Sequence, residues 1–342
     1  MMIAKHVRKL EGYTPGEQPK SRNVVKLNTN ENAYPPSPKC AAVLKSFDLD
    51  RLRRYCDPDC TALRQELAKL NRTTPDRIFV GNGSDEILAL AARAFVENGE
   101  TIGSLDPSYS LYKTLAAIRN VKWAGATVPG AIPPSTSLFL LTNPNAPTGE
   151  WRESSAVAAF AKKFRGVVLV DEAYADFARG NCMALATAPK NRNVIVMRTF
   201  SKSYSLAGLR VGYCVGPKPL VDALYKIKDS YNVDAIAQAV ALEAAKDQAW
   251  MRANVEKIVR TRTRFVAELE RRGWDVIPSE SNFVFARPAH RPAAEIFEAL
   301  RRRNIFVRYF RGPKTGDRLR VTIGTDAQMK KLLKAIDELD FH

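Results

Sequence analysis

The chain has 342 residues, of which 45% are hydrophobic and 26% are charged. This composition is typical of a globular protein and allows one large domain plus a smaller one. No apolar run approaches the roughly 18 residues of a membrane-spanning helix, and the N-terminus lacks the pattern of a secretory signal. We therefore expect neither a membrane nor an export signal to be involved.

The formal net charge is +17, and the chain holds five cysteines and three histidines. Scattered cysteines without a CxxC pair disfavour disulfide and zinc frameworks, so we expect a cytoplasmic protein without a metal. The basic residues are spread along the chain without a nucleic-acid module, which favours anionic small molecules over nucleic acid as partners. Because histidine is scarce, proton transfer is expected to fall to another residue type, such as a lysine with a lowered pKa.

Residues 1–35 are punctuated by proline and have no strong period, which predicts an N-terminal arm. Residues 36–240 alternate short apolar runs with helical patterns, as expected for an α/β fold with a mostly parallel sheet between two helical layers. The apolar runs that precede polar clusters are Ile78–Val80, Leu138–Leu141, Val167–Val170 and Val194–Met197.

Residues 241–342 predict a small α+β domain. A long amphipathic helix is expected over residues 241–272, and one further helix at the segment AAEIFEALRRR. The expected strands are short: Trp274–Ile277, Asn282–Ala286, Ile305–Arg308 and Leu319–Ile323.

In open α/β sheets, ligands bind beyond the carboxyl ends of the strands. The first polar cluster there contains Gly83, Ser84 and Asp85. Glycine permits close backbone approach, and the N-terminus of the following helix favours an anion such as a phosphate. The same residues would equally serve as a turn and helix cap without a ligand.

Two further clusters carry charge. Asp171 ends its strand and predicts a carboxylate that holds a cationic ring nitrogen or a metal, with Tyr174 three residues later. Thr199, Ser201 and Lys202 follow the next strand, where hydroxyls suit a phosphate and a lysine suits imine chemistry. Arg210, eight residues beyond Lys202, predicts a bidentate phosphate contact.

Together, the segments NPNAPTG, DEAY, SKSYSLAGLRVGY and LRVTIG resemble the class I/II aminotransferases of fold type I, in the family's order and over nearly the whole chain. The segments YTPGEQP, KLNTNENAYPPSP, RYCDP, NIFVRYFRGP and RLRVTIGT are more similar to the histidinol-phosphate group within that family. The resemblance implies pyridoxal phosphate (PLP) as cofactor, bound as a Schiff base on Lys202.

The resemblance also implies roles for the other residues. Asp171 would pair with the ring nitrogen, Tyr174 would reach the ring hydroxyl, and Tyr109 would stack on the ring. Residues expected around the cofactor phosphate are Gly83, Ser84, Asp85, Thr199, Ser201 and Arg210. Tyr55 would reach the phosphate bound by a partner subunit, which implies a homodimer.

Substrate contacts implied by the resemblance are Arg308 and Arg320, with Tyr13 and Asn32 closing over the substrate from the arm. One departure stands out: the family has asparagine directly before Pro-Thr-Gly, where this chain has Ala146. Asn145, one residue earlier, is the expected substitute in the contact to the ring hydroxyl, unless Tyr174 makes that contact alone.

The implied reaction is transamination of L-histidinol phosphate with 2-oxoglutarate, giving imidazole acetol phosphate and L-glutamate in histidine biosynthesis. Three alternatives stay open at this point. They are an aromatic amino-acid aminotransferase, an enzyme similar to threonine-phosphate decarboxylase, and a non-catalytic PLP-binding regulatory module.

Overall fold

The computed structural model describes residues 2–10, 12, 16–20, 23–127 and 131–340. The strands are β1 Val25–Lys26, β2 Ile78–Gly81, β3 Thr101–Leu105, β4 Lys122–Ala126, β5 Thr136–Thr142, β6 Val167–Asp171, β7 Val194–Thr199, β8 Gly212–Val215, β9 Asp275–Ile277, β10 Phe283–Arg287, β11 Ile305–Phe306, β12 Arg308–Tyr309 and β13 Leu319–Thr322. The helices are α1 Lys5–Arg8, α2 Pro38–Ser46, α3 Thr61–Leu70, α4 Gly83–Ala94, α5 Leu111–Ile118, α6 Ser154–Lys163, α7 Met183–Thr187, α8 Lys218–Ile227, α9 Ala235–Lys246, α10 Gln248–Arg271, α11 Ala293–Arg302 and α12 Asp326–Asp340.

The large sheet has seven strands in the order β2-β8-β7-β6-β5-β3-β4. Strand β8 is antiparallel to both of its neighbours, whereas the pairs among β3, β4, β5, β6 and β7 are parallel. The predicted α/β class and mostly parallel sheet are therefore confirmed. The central strands β6 and β7 end side by side, and this places the segments that follow them next to each other.

Both faces of the central strands of the large sheet are buried. Alternate residues of a strand point to opposite faces, and here each face packs into its own apolar cluster. Leu169 and Ile195 belong to one cluster, while Val168 and Val196 belong to the other. Burial on both faces explains why these strands are continuous apolar runs rather than alternating ones.

The small sheet is antiparallel, with the order β12-β13-β10-β9. The strand predicted at Ile305–Arg308 is in fact two strands with different partners. Strand β11 pairs in parallel with β1 from the N-terminal region, and β12 pairs with β13 after a break at Val307. Strands β1 and β11 form a separate two-stranded sheet, with Val25 in register with Ile305.

The single long helix predicted over residues 241–272 is also wrong in detail. Helix α9 ends at Lys246 and α10 begins at Gln248, because Asp247 leaves the helical region with φ −101° and ψ 60°. Its carboxylate accepts a hydrogen bond of 2.5 Å from Ser37, which ties the break to the start of α2. The division into residues 1–35, 36–240 and 241–342 stays a prediction.

None of the helices among the described residues is long and apolar enough to span a bilayer.

Candidate active site

A cavity of about 630 Å³ lies beyond the carboxyl ends of the large-sheet strands and is closed on one side by the small sheet. The predicted site residues that line it are Ser84, Asp85, Tyr109, Asp171, Tyr174, Thr199, Ser201, Lys202, Arg210, Arg308 and Arg320. Most of the predicted side chains are therefore brought together, from segments more than 200 residues apart.

Lys202 lies just beyond β7 and points its amine into this cavity. Nζ donates a hydrogen bond of 3.2 Å to the backbone carbonyl of Thr29 and lies 5.9 Å from the ring centre of Tyr174. Burial, followed by the positive charge of Arg320, lowers the pKa of Lys202 to about 8. An amine with this pKa is about one-tenth neutral at pH 7, far more than an ordinary lysine, and its neutral form can act as a nucleophile or a base.

Asp171 ends the central strand β6 and is 4% exposed. Its Oδ2 accepts a hydrogen bond of 2.8 Å from the phenol of Tyr112, and its Oδ1 accepts one of 3.1 Å from the backbone N–H of Ala173. Burial raises the pKa of this carboxyl to about 6, against the lowering effect of Tyr112. A cation beside Asp171 would offset the desolvation and keep the carboxylate ionised.

A buried ionic cluster holds the two segments that carry Asp171 and Lys202. The guanidinium of Arg198, on β7, pairs with Glu172 at 2.8 Å and with Asp176 at 3.0 Å. Asp176 in turn accepts a hydrogen bond of 2.5 Å from Ser203, the residue after Lys202. The segment after β6 is thus fixed to the segment after β7.

The anion cradle forms where α4 begins. Gly83 has φ +76°, and a Cβ there would lie 2.5 Å from the guanidinium of Arg210, so only glycine lets this arginine approach the helix N-terminus. Arg210 itself has φ +59°, an uncommon conformation for a residue with a side chain. Its guanidinium lies 3.2 Å from the carboxylate of Asp85 and 3.4 Å from the hydroxyl of Ser201.

Two arginines face the cavity from the small sheet. Arg308 on β12 and Arg320 on β13 are directly paired in register. Both guanidiniums lie 5.2 Å from the ring centre of Phe310, and Arg320 also donates a hydrogen bond of 3.0 Å to the carbonyl of Asn28. Two adjacent guanidiniums on an apolar support suit a carboxylate or a phosphate.

The structure does not bring Asn145 or Asn32 to the cavity wall. Asn145 is buried, and its amide is used within the protein: Nδ2 donates to Pro107 and Thr148, and Oδ1 accepts from Ser108. Asn32 donates to the backbone carbonyl of Lys202 at 3.0 Å. It also donates to the carbonyl of Ser203 at 3.2 Å, so its amide holds the segment after β7, and its expected role toward the substrate stays a prediction.

Ala146, which stands where the resemblance leads us to expect asparagine, does line the cavity. Tyr55 does not; it is 82% exposed and stacks on Tyr231 with ring centres 4.3 Å apart. Its expected role toward a partner subunit stays a prediction. Tyr13 lies outside the described residues.

The sequence did not single out three residues that touch the chemistry-bearing side chains. Tyr112 holds Asp171, Thr29 accepts from Lys202, and Asn30 donates to the phenol of Tyr174 at 2.9 Å. Tyr112 lies in an apolar helix and resembles any core tyrosine. Thr29 acts through its backbone, which leaves no signal in the sequence, whereas Asn30 belongs to the polar run NTNEN.

The model of the family described as aminotransferase class I and II matches residues 22–336. The chain belongs to this aminotransferase family. A histidinol-phosphate aminotransferase of Syntrophotalea carbinolica is 43% identical, over 98% of this chain and 99% of that one. A second, from Geobacter sp. strain M21, is also 43% identical, over 98% of both chains. Among solved structures, the histidinol-phosphate aminotransferase of Sinorhizobium meliloti in complex with pyridoxal 5'-phosphate matches with a TM-score of 0.89 and 26% identity, over 99% of this chain and 98% of that one.

Class I and II aminotransferases use PLP, and the residues of this cavity fit that group. The buried carboxylate of Asp171 suits a protonated ring nitrogen, because a cation there offsets its desolvation. The close contact between Gly83 and Arg210 at the start of α4 suits a phosphate. The amine of Lys202, 5.9 Å from the ring centre of Tyr174, suits an aldehyde carbon.

Proposed function

We propose that the chain transfers the amino group of L-histidinol phosphate to 2-oxoglutarate, with PLP as cofactor. The products are imidazole acetol phosphate and L-glutamate, and the reaction belongs to L-histidine biosynthesis. The observation that carries the proposal is a single cavity that holds the Lys202 amine, the Asp171 carboxylate and the paired guanidiniums of Arg308 and Arg320. Curated relatives at 43% identity that bear the name of this activity support the choice of substrate.

The role of each side chain follows from its position. When bound, PLP supplies an electron-accepting ring that stabilises negative charge on the substrate carbon. Asp171, held ionised by Tyr112 and a cation, keeps a positive charge at the ring nitrogen. Nζ of Lys202, with its lowered pKa, takes the proton from the substrate carbon and returns it. The two arginines hold the anionic end of the substrate.

Both substrates are anionic but differ in chemistry. L-Histidinol phosphate offers a phosphate and no carboxylate, whereas glutamate offers two carboxylates. Arg308 and Arg320 present planar donors that can form bidentate contacts to either group. We infer that one pair of arginines serves both half-reactions, supported by the register pairing of β12 with β13.

We further infer that the working unit is a cytoplasmic homodimer in which Tyr55 completes the partner's site. Support comes from exposed apolar side chains on the segment that ends at Tyr55 and on Tyr231, which stacks on Tyr55. The side chains that are more than 40% exposed are Leu44, Leu49, Leu52, Tyr55 and Tyr231. Exposed large apolar side chains are typical of protein interfaces where they form one surface.

A single-turnover panel tests the substrate. The PLP form is mixed with L-histidinol phosphate, phenylalanine, threonine phosphate or glutamate, and the cofactor spectrum is followed. We expect fast conversion with L-histidinol phosphate and glutamate. Conversion with phenylalanine but not with L-histidinol phosphate would identify an aromatic aminotransferase instead. Release of carbon dioxide from threonine phosphate would identify a decarboxylase, and no conversion with any amine would identify a non-catalytic module.

A further inference from the structure

Three successive residues of the N-terminal region each contact a different chemistry-bearing side chain. The carbonyl of Asn28 accepts from Arg320 at 3.0 Å, and the carbonyl of Thr29 accepts from Nζ of Lys202 at 3.2 Å. The side-chain amide of Asn30 donates to the phenol oxygen of Tyr174 at 2.9 Å. We call residues 28–30 the strap. It joins the small-sheet arginine to the lysine and the tyrosine of the large domain.

Asn30 is the most firmly held residue of the strap. It is 1% exposed, and its backbone N–H donates to the hydroxyl of Thr322 at 3.0 Å. The same hydroxyl donates back to Oδ1 of Asn30 at 3.1 Å, and Asn282 donates to the Asn30 carbonyl at 3.0 Å. In this arrangement Oδ1 accepts from Thr322 and Nδ2 is the end of the amide that faces Tyr174. The contact to the phenol is therefore made by a donor.

The direction of that hydrogen bond has a chemical consequence. A phenol oxygen that accepts from an amide uses its own O–H as the donor in its other contacts. Tyr174 lines the cavity, and its ring is fixed edge-on against Phe283 with ring centres 5.0 Å apart. An acceptor in the cavity beside this oxygen would therefore meet the phenol as a donor.

We propose that Asn30 is a positioning residue that makes Tyr174 a hydrogen-bond donor toward the oxygen of the cofactor ring. This inference rests on the proposed function, in which Tyr174 contacts that oxygen. This chain has Ala146 where the resemblance leads us to expect asparagine. The hydrogen bond to the ring oxygen therefore depends more on Tyr174 acting as its donor. Asn30 acts on the cofactor through Tyr174, without touching the reacting atoms.

Asn30→Asp is the sharpest variant. Aspartate has the same shape and tolerates the left-handed backbone of residue 30, at φ +56°. Its carboxylate still accepts from Thr322 but presents an acceptor to Tyr174, so the phenol hydrogen turns away from the cavity. Asn30→Gly keeps the backbone conformation and removes the side chain, which leaves the phenol undirected.

The readout is the pH titration of the visible absorption of the holoenzyme. Without the hydrogen bond that Tyr174 donates, the oxygen of the cofactor ring carries more negative charge. This charge favours the protonated form of the linkage between Lys202 and the cofactor. We expect the midpoint to rise by about one pH unit in Asn30→Asp and in Tyr174→Phe, and by less in Asn30→Gly. The turnover number kcat should fall about tenfold in Asn30→Asp with little change in KM.

A double-mutant cycle separates the inference from a purely electrostatic or structural effect. Asn30→Asp should add little to the shift when Tyr174 is already phenylalanine. Asn254→Asp is the matched control, because this buried asparagine also donates from its side chain, to the carbonyl of Pro35, and contacts neither the strap nor Tyr174; it should leave the midpoint in place. A shift of equal size in the Tyr174→Phe background, or in Asn254→Asp, would overturn the inference. If Tyr174→Phe itself has no effect, the proposed role of Tyr174 fails and the inference fails with it. If Tyr174→Phe shifts the midpoint and Asn30→Asp does not, only the inference fails.

Discussion

The phenol of Tyr112 donates a hydrogen bond to Oδ2 of Asp171 over 2.8 Å, from a side chain with no exposed surface. This contact lowers the pKa of a carboxyl that burial raises. Tyr112→Phe should therefore leave Asp171 less ionised and weaken the hold on the cofactor. A hydrogen bond to a charged group contributes about 1.5–3 kcal/mol, so we expect the dissociation constant of PLP to rise at least tenfold.

Fluorescence titration of the cofactor-free protein measures this constant. Tyr225→Phe is the matched control, because its hydroxyl lies at the long distance of 3.5 Å from the carbonyl of Ile78 and does not contact Asp171. Equal affinity in the wild type and Tyr112→Phe would show that the Tyr112 hydroxyl does not support the carboxylate.

The lowered pKa of Lys202 predicts how cofactor capture depends on pH. Only the neutral amine attacks an aldehyde, so the rate of PLP capture by the cofactor-free protein should rise with pH around a midpoint near 8. Arg320 is the second cause of the lowered pKa, and Arg320→Gln should move the midpoint to higher pH. Arg318→Gln is the control, since Arg318 pairs with Asp275 on β9. A midpoint that is the same in Arg320→Gln as in the wild type would rule out this electrostatic coupling.

The raised pKa of Asp171 predicts an effect on stability. The pKa in the folded state is about 6, above the ordinary value of 3.8, so the folded protein binds more protons than the unfolded chain between these values. In the cofactor-free protein, Asp171 should therefore add at most about 3 kcal/mol to the free energy of unfolding. This contribution is fully present below about pH 4 and is lost as the pH rises through 6.

Urea unfolding at a series of pH values compares the wild type with Asp171→Asn, which cannot titrate at this position. The difference in unfolding free energy between the two proteins should change across this pH window. A difference that stays constant would mean that Asp171 ionises as readily in the folded as in the unfolded chain.

The inferred homodimer predicts complementation between two defective chains. A dimer of Lys202→Ala with Tyr55→Ala subunits contains one site with both native residues, if Tyr55 reaches across to its partner. Mixed subunits should then show more activity than either parent alone, with an upper limit near half of the wild-type value per dimer. Activity in the mixture that only equals the average of the parents would place Tyr55 in its own subunit's site or outside any site.

The sequence predicted those parts of the site that depend on strand order. Asp171 and Lys202 follow neighbouring strands, β6 and β7, and parallel strands bring their carboxyl ends to the same edge. Arg210 was predicted from its distance along the chain to Lys202. Gly83 was predicted between a strand and a helix; it is the first residue of α4, and its φ of +76° is a conformation that glycine adopts most readily.

The remaining contacts depend on tertiary packing, which local patterns do not encode. Asn145 is one residue from the family's position, yet the turn directs its amide to Pro107 and Thr148. Asn30 and Asn32 occur in the same polar run, and only the fold decides that Asn30 reaches Tyr174. Thr29 contributes a carbonyl that any residue type could supply.

Reduction of the holoenzyme with borohydride, followed by peptide mass spectrometry, tests the central claim most directly. Borohydride fixes the cofactor irreversibly on the lysine that holds it. The account predicts the modification on Lys202, within the segment TFSKSYSLAGLR. In Lys202→Ala, it predicts that the modification is absent and that nearly all turnover is lost. Modification of a different lysine, or wild-type turnover in Lys202→Ala, would contradict the account.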